Sequence, residues 1–326
     1  MPAICKRAPL PAALFQSVED FLAARGLRDE GDAEVFALLY DDSERLVACG
    51  ARVGRLLKQI AVAPAAEGGG ACASIVSALL SEAYTAGETH LFLCTKPENG
   101  RMFRSLGFFP LAETPDALLM ENRRDGLERF LSALPHPTGR VGAVVCNCNP
   151  FTLGHRHLIA TAAAACDAVH VFVLSEEASL FSAAERLALV RAGVADLSNC
   201  FVHESAHYLV SRATFPAYFI RDAARAEDVR ADLDLTLFAS RIAPALGISV
   251  RFVGEEPFCP VTRAYNERMK SLLPQYGVEV VEIPRLCGIS ASRVRALMQE
   301  RKLDDIRALV PEESYAAIVR RLTRDA

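Results

Sequence analysis

The stretch Ala143–Ile159, AVVCNCNPFTLGHRHLI, constrains this chain more than any other. With the two residues before it, it opens as an apolar run, Val141–Cys146, of the length and branching of a strand buried on both faces. Asn147–Pro150 then supplies turn residues, and Pro150 excludes a helical residue before it. A helix begins near Gly154. A buried strand that feeds a helix through a polar loop leaves free backbone N–H groups at the sheet's C-terminal edge. Gly154 and its neighbours therefore offer a phosphate site.

Counted helically from His155, the residues Leu158, Ile159, Ala162, Ala163 and Cys166 fall on one stripe, which must face the sheet. His155 begins that stripe and leans over the strand ends, where it reads as a phosphate contact. A capping or core histidine is the competing reading. His157 lies roughly 200° further round and faces solvent. Histidines two apart on a helix do not converge on one metal, unlike an i, i+4 pair.

Strand patterns recur downstream at Val169–Leu174, Cys200–Glu204, Ile248–Val253 and Val278–Ile283, with helical patterns between them that include Leu237–Leu246 and Ala264–Leu273. Such alternation predicts an α/β fold with a doubly wound parallel sheet, and ligands at the C-terminal strand ends. Ser182 and Glu185 have capping-box spacing and open a helix over Ala183–Ala192, ended by Gly193. Arg186 sits in its first turn, where a cation opposes the macrodipole; either an anion lies nearby or the side chain is solvated. Near the end, Ser290 or Ser292 can cap a helix whose core face is Val294, Leu297 and Met298. Ser292 and Arg295 share a face of that helix. Hydroxyl, guanidinium and free N–H groups together suit the outer phosphates of a triphosphate; plain capping with solvated arginines is the alternative. Asn147 and Asn149 sit in the turn beside the phosphate site at Gly154. Glu255 and Glu256, after a strand, either reach a metal or ribose or form a solvated turn.

The first part of the chain reads differently. LFQSVEDFLAARG forms an amphipathic helix over Ala12–Arg25, closed by Gly26. Strands follow at Val35–Tyr40, Arg45–Val53 and Leu56–Val62, then a glycine run, Gly68, Gly69 and Gly70, and a helix over Ala73–Ala86. Leu91–Thr95 is a strand, Gly100–Leu106 a short helix, and Phe108–Leu111 strand-like. Strand, glycine-rich turn and helix make a second anion-binding arrangement, with Gly68–Ala71 as a pyrophosphate nest. A chain of 326 residues exceeds one ordinary core. The division expected is residues 1–124, a linker over 125–139 made of a helix, Asp125–Leu134, and the loop Pro135–Gly139, and residues 140–326.

A net charge of −4 without a basic stripe argues against nucleic-acid binding. The ten cysteines are scattered, and Cys146 with Cys148 is the one close pair; they read as small buried residues in a reducing cytosol, with no metal site. No stretch approaches a membrane span and the N-terminus lacks a leader pattern, so a cytoplasmic location without membrane contact is expected.

Two family resemblances rest on these residues. The order of elements in the first part, with Gly68-Gly69-Gly70-Ala71 after Ile60–Val62, resembles the GNAT acetyltransferase superfamily, which implies a coenzyme-A-type diphosphate at the turn. The family's Arg or Gln at the start of that turn is missing, Glu67 adds negative charge, and no general base is evident. Thr152-Leu153-Gly154-His155 paired with Ile289-Ser290-Ala291-Ser292-Arg293-Val294-Arg295 resembles the signature of cytidylyltransferase-like nucleotidyltransferases. That resemblance implies a Rossmann-like (HUP-type) domain in which Thr152 and His155 contact the nucleotide phosphates, and Ser290, Ser292 and Arg295 hold the outer ones.

Longer stretches, among them VFVLSEEASLFSAAERLALV, ATFPAYFIRD and RFVGEEPFCPVTRAYNERM, are similar to the citrate lyase ligases, as are IAVAP and THLFLCTKPEN in the first part. This resemblance implies ATP with Mg2+ as cofactors. It further implies acetate and the thiol-bearing acyl carrier subunit of citrate lyase as partners, and AMP and pyrophosphate as products. Catalysis would fall to His155, Thr152 and Arg295, with Asn147, Asn149, Gly154, Arg186, Ser290 and Ser292 around the nucleotide. An acetyltransferase whose second domain senses nucleotide is the alternative.

Overall fold

The computed structural model describes residues 2–175, 180–209, 218–220, 222–286 and 288–324. Parts of the stretches VFVLSEEASLFSAAERLALV and ATFPAYFIRD lie outside them. The chain forms two units, each with its own sheet. The first comprises Met1–Leu127 and Thr214–Leu233, the second Glu128–Ala213 and Asp234–Ala326.

Seven strands build the first sheet: β1 (Ile4–Arg7), β2 (Val35–Tyr40), β3 (Leu46–Val53), β4 (Leu56–Val62), β5 (Phe92–Thr95), β6 (Phe109–Glu113) and β7 (Leu118–Glu121). Their order is β1-β2-β3-β4-β5-β7-β6, and every pairing is antiparallel except β4 with β5. Those two pair in parallel at Leu56–Phe92 and Leu57–Leu93 and pair no further along β4. Helix α1 (Ala12–Ala23) buries Val18, Phe21 and Leu22 against Phe36, Leu38 and Ala51 on one face. Helix α2 (Ala71–Thr85) buries Ile75, Val76 and Leu79 against Ala37, Leu39 and Leu57 on the other. A short α3 (Gly100–Ser105) follows β5. This is the α+β arrangement expected of an acetyltransferase-like unit. Strands β1 and β7 escaped the sequence reading. Each has four residues, and Leu118-Leu-Met-Glu contains no β-branched residue to mark it as a strand.

Helix α4 (Gly126–Ser132) falls within the helix expected over Asp125–Leu134, and its Leu127 and Leu131 are buried. In the second unit β8 (Val141–Cys146), β9 (Ala168–Val173), β10 (Cys200–Glu204), β11 (Ile248–Gly254) and β12 (Glu279–Ile283) form an all-parallel sheet in the order β10-β9-β8-β11-β12. The order runs outward from β8 in both directions, so the chain reverses its winding between β8 and β11. Brought to the C-terminal ends of those two strands, the flanking loops diverge and leave a crevice, the usual ligand position in open α/β sheets. Helices α5 (Leu153–Ala165) and α6 (Ala183–Gly193) cover one face, with Ile159, Ala162, Leu189 and Val190 packed on Val144, Val169 and Val171. Helix α7 (Ala223–Leu237) continues through a π-helical turn, Phe238–Ile242, into α8 (Ala243–Leu246), where a single helix was expected over Leu237–Leu246. Helices α9 (Pro260–Leu272), α10 (Ala291–Gln299), α11 (Leu303–Arg307) and α12 (Glu312–Arg324) complete the unit. The expected second domain was continuous over 140–326; the structure instead assigns Thr214–Leu233 to the first unit. Hydrophobic patterning reports that a segment is helical and has an apolar face, but not which core receives that face.

Gly193 ends α6 as expected, but for another reason than a left-handed cap. A Cβ at this position would lie 2.3 Å from the ring of Phe151, which is fully buried beneath the loop after β8. Gly193→Ala should therefore destabilise the second unit by about 1–3 kcal/mol through overpacking. The expected readout is a lower denaturant midpoint at unchanged m-value, with Phe151→Leu restoring part of the loss.

Candidate active site

The loop after β8 is built around a reciprocal cap. The Thr152 Oγ1 accepts the backbone N–H of His155 at 3.4 Å, and His155 Nδ1 accepts the backbone N–H of Thr152 at 3.1 Å. Because Nδ1 is an acceptor, the proton of the neutral imidazole resides on Nε2. Burial, and then the positive charge of Arg285, push the His155 pKa down to about 4. At neutral pH His155 is thus an uncharged ring with one N–H to give. The capping role that competed with phosphate contact turns out to be the device that orients the ring. His157, expected to face away from the site, is exposed yet lines the same cavity as His155, so the two histidines share that wall.

Helix α10 starts in the same way. Ser290 Oγ accepts the N–H of Arg293 at 3.1 Å and lies 3.0 Å from Ser292 Oγ. Its N-terminus and that of α5 meet at the end of β8. A Cβ on Gly154 would lie 3.5 Å from both the carbonyl oxygen and Cγ2 of Ile289, and Arg295 reaches across to donate to the Asn149 carbonyl at 2.6 Å. Both turns line one cavity of about 230 Å3 at the β8–β11 switch point, with Asn147, Thr152, Gly154 and His155 on one side and Ile289, Ser290 and Ala291 on the other. Arg285 and Glu256 line it as well.

Several expected residues hold the wall rather than form it. Asn149 accepts the N–H of Phe181 at 3.1 Å through its side chain, and Arg295 binds its carbonyl; neither lines the cavity. Ser292 is exposed just outside it. Arg186, read as either facing an anion or solvated, is not solvated: its guanidinium is fully buried. It donates to the carbonyls of Leu174 at 2.7 Å, Asn147 at 2.9 Å and Phe181 at 3.1 Å, and to the Asn147 side chain. The Leu174 and Asn147 carbonyls follow β9 and β8, and that of Phe181 precedes α6, so Arg186 ties the two strand ends to the start of its own helix. The local sequence places a cation in a helix's first turn, but cannot show which distant carbonyls converge on it. Arg285 and Glu256 gave only weak signals, an arginine and a glutamate in polar turns after strands.

The glycine run belongs to the first unit and to a separate cavity of about 570 Å3. Gly68 and Gly70 line it with left-handed φ of 74° and 82°, while Gly69 does not face it. Glu67, Thr95, Asn99 and Met102 also line it, and buried Tyr218 donates its hydroxyl to the Cys94 carbonyl at 3.1 Å. Cys146 and Cys148 are buried, and burial raises the Cys148 thiol well above its ordinary value. No group of three metal-ligating side chains occurs among the described residues, and no helix among them is long and apolar enough to cross a membrane.

Replacing Arg186 by Met would leave several buried carbonyls without their donor, at about 1–3 kcal/mol for each unsatisfied group. We expect a loss of roughly 3 kcal/mol or more in chemical denaturation, and less than half of it recovered by Arg186→Lys, because an ammonium cannot fork across the same oxygens.

The family pattern described as the citrate lyase ligase C-terminal domain matches residues 141–318, from the start of β8 into α12. The citrate (pro-3S)-lyase ligase of Klebsiella pneumoniae is 44% identical over 308 residues, covering 91% of this chain and 90% of that protein. The enzyme of the same name from Escherichia coli (strain K12) is 41% identical over 307 residues, covering 90% and 87%. That from Haemophilus influenzae is 38% identical over 307 residues, covering 90% and 92%. With the residues of both turns inside the matched region, this chain belongs to the citrate lyase ligase family.

Proposed function

We propose that this protein uses ATP and acetate to acetylate the prosthetic-group thiol on the acyl carrier subunit of citrate lyase, and that the cavity between the α5 and α10 turns is where acetate is activated. One observation carries the reading. Thr152, His155 and Ser290, distant in sequence, line one cavity at the switch point of a parallel sheet. Two helix N-termini directed at one point favour bound phosphate.

A carboxylate oxygen of acetate attacks the α-phosphorus of ATP, forming acetyl-adenylate as the bond to pyrophosphate breaks. The carrier thiol, losing its proton to solvent, then attacks the acyl carbon and expels AMP. The protein's work is positioning and charge stabilisation. His155 supplies an N–H from Nε2 toward phosphate oxygen, Ser290 and the free N–H groups of α10 take the outer phosphates, and Arg295 holds the two turns in register. Bound Mg2+ would supply neutralisation of phosphate charge, without needing an all-protein cage. The second cavity suits the carrier's arm. Gly68 and Gly70 present backbone N–H groups to a diphosphate, and the gap where β4 and β5 part can take a pantetheine chain.

The deciding measurement is exchange of labelled pyrophosphate into ATP with and without acetate. Exchange that needs acetate supports the ligase; acetyl transfer from coenzyme A without ATP would instead support the acetyltransferase alternative. His155→Ala should slow exchange about a hundredfold to a thousandfold, as loss of one preorganised donor does, and a loss below about fivefold would leave His155 a cap only. With its pKa near 4, His155 stays uncharged across the neutral range, so the exchange rate should show no inflection near the ordinary histidine value.

Ala73, on the first turn of α2, lines the arm cavity. Ala73→Trp should reduce carrier acetylation about tenfold while leaving acetate-dependent exchange within about twofold, because truncated access costs one substrate only. Equal loss of both activities counts against the arm site.

A further inference from the structure

The activation cavity must bring together two anions, a carboxylate and a phosphate. One cation on its wall is placed for the carboxylate. Among the arginines around the two turns, Arg186 is buried against main-chain carbonyls, Arg295 donates to Asn149 O, and Arg293 donates to Gly288 O at 2.8 Å. Arg285 differs in lining the cavity itself, two residues beyond β12. Glu256 holds it through two parallel contacts, each 3.2 Å, between the guanidinium nitrogens and the two carboxylate oxygens. Glu256 is itself fixed, since its Oε1 also accepts the N–H groups of Phe258 and Cys259 at 3.1 Å.

A fork engaged once at each terminal nitrogen keeps further N–H groups for a second carboxylate. The cavity's volume of about 230 Å3 lies below the range typical of sites for drug-sized ligands. It fits a phosphate group beside a small acid, with the rest of a nucleotide outside. Leu286 and Ile289 line it too, giving an apolar wall next to the guanidinium.

We propose that Arg285 is the acid-substrate subsite: it receives the carboxylate of a short monocarboxylic acid, with Leu286 and Ile289 against the alkyl end, and Glu256 is the positioning residue that aims it. The proposal rests on the ligase reading above and deepens it by placing the acid.

The test titrates acetate and ATP separately in pyrophosphate exchange, and measures ATP binding by equilibrium dialysis of labelled ATP. Arg285→Ala should raise the acetate KM at least about thirtyfold while ATP affinity changes by less than about threefold, with free guanidinium restoring part of the activity. Glu256→Gln should raise the acetate KM by about three- to tenfold with kcat at saturating acetate nearly unchanged. Leu286 is 40% exposed, so Leu286→Ala tests the subsite without a folding risk; it should shift the kcat/KM ratio toward propionate by about tenfold. A parallel loss of ATP affinity in Arg285→Ala would make Arg285 a phosphate contact and overturn the proposal. So would an unchanged acetate KM, or an unchanged propionate-to-acetate ratio in Leu286→Ala. Failure of the ligase reading is separate, because then the unmodified protein itself shows no acetate-dependent exchange.

Discussion

Burial of β8 between β9 and β11 is the constraint on which the candidate site depends. A strand paired in parallel on both sides and covered on both faces cannot slide without exposing Val144 or breaking two ladders. Its C-terminal end is therefore a fixed point. Because the sheet winds outward from β8 in both directions, the loops after β8 and β11 part at that point and the crevice opens there. The helices α5 and α10 then bring their unpaired N–H groups to the same place.

The crevice is held by hydrogen bonds within and behind its wall. Arg186 gathers the ends of β8 and β9, Arg295 clasps Asn149, Asn149 supports Phe181, and Thr152 and His155 cap one another. Each tie satisfies carbonyl or N–H groups that a buried loop would otherwise leave bare, which is costly in a low-dielectric interior. Rigid walls matter for phosphoryl chemistry, where the protein contributes placement and charge rather than covalent work. His155 illustrates the economy of the arrangement: one bond at Nδ1 caps a helix and leaves Nε2 as the N–H donor of a ring that lines the cavity.

The first unit solves a different problem with similar parts. Its β4 and β5 pair for two residues and then separate, and Gly68 and Gly70 adopt backbone conformations that a side chain would strain. The result is a cavity beside a glycine turn, closed on one side by Tyr218 from a segment more than a hundred residues downstream of the strands it packs on. Lys58, fully buried on β4, is paired with Glu30 and Asp32 from the segment before β2, so its buried ammonium is compensated by two carboxylates.

Local pattern alone determined a good deal. The apolar run Val141–Cys146, the turn after it, a cap at Ser290 or Ser292 and the alternation of strands and helices all follow from periodicity, branching and capping chemistry, which act between near neighbours. The Thr152–His155 and Ser290–Arg295 motifs, also local, carry the resemblance to nucleotidyltransferases. Tertiary structure alone decided which residues meet. It sent Arg186 to carbonyls, set Arg285 against Glu256 across the cavity wall, made Gly193 a clearance for Phe151, and gave Thr214–Leu233 to the first unit. The reason is physical. A side chain's type and its face on a helix are local properties, but its partner is chosen by how distant elements close-pack, and no short window of sequence contains that choice.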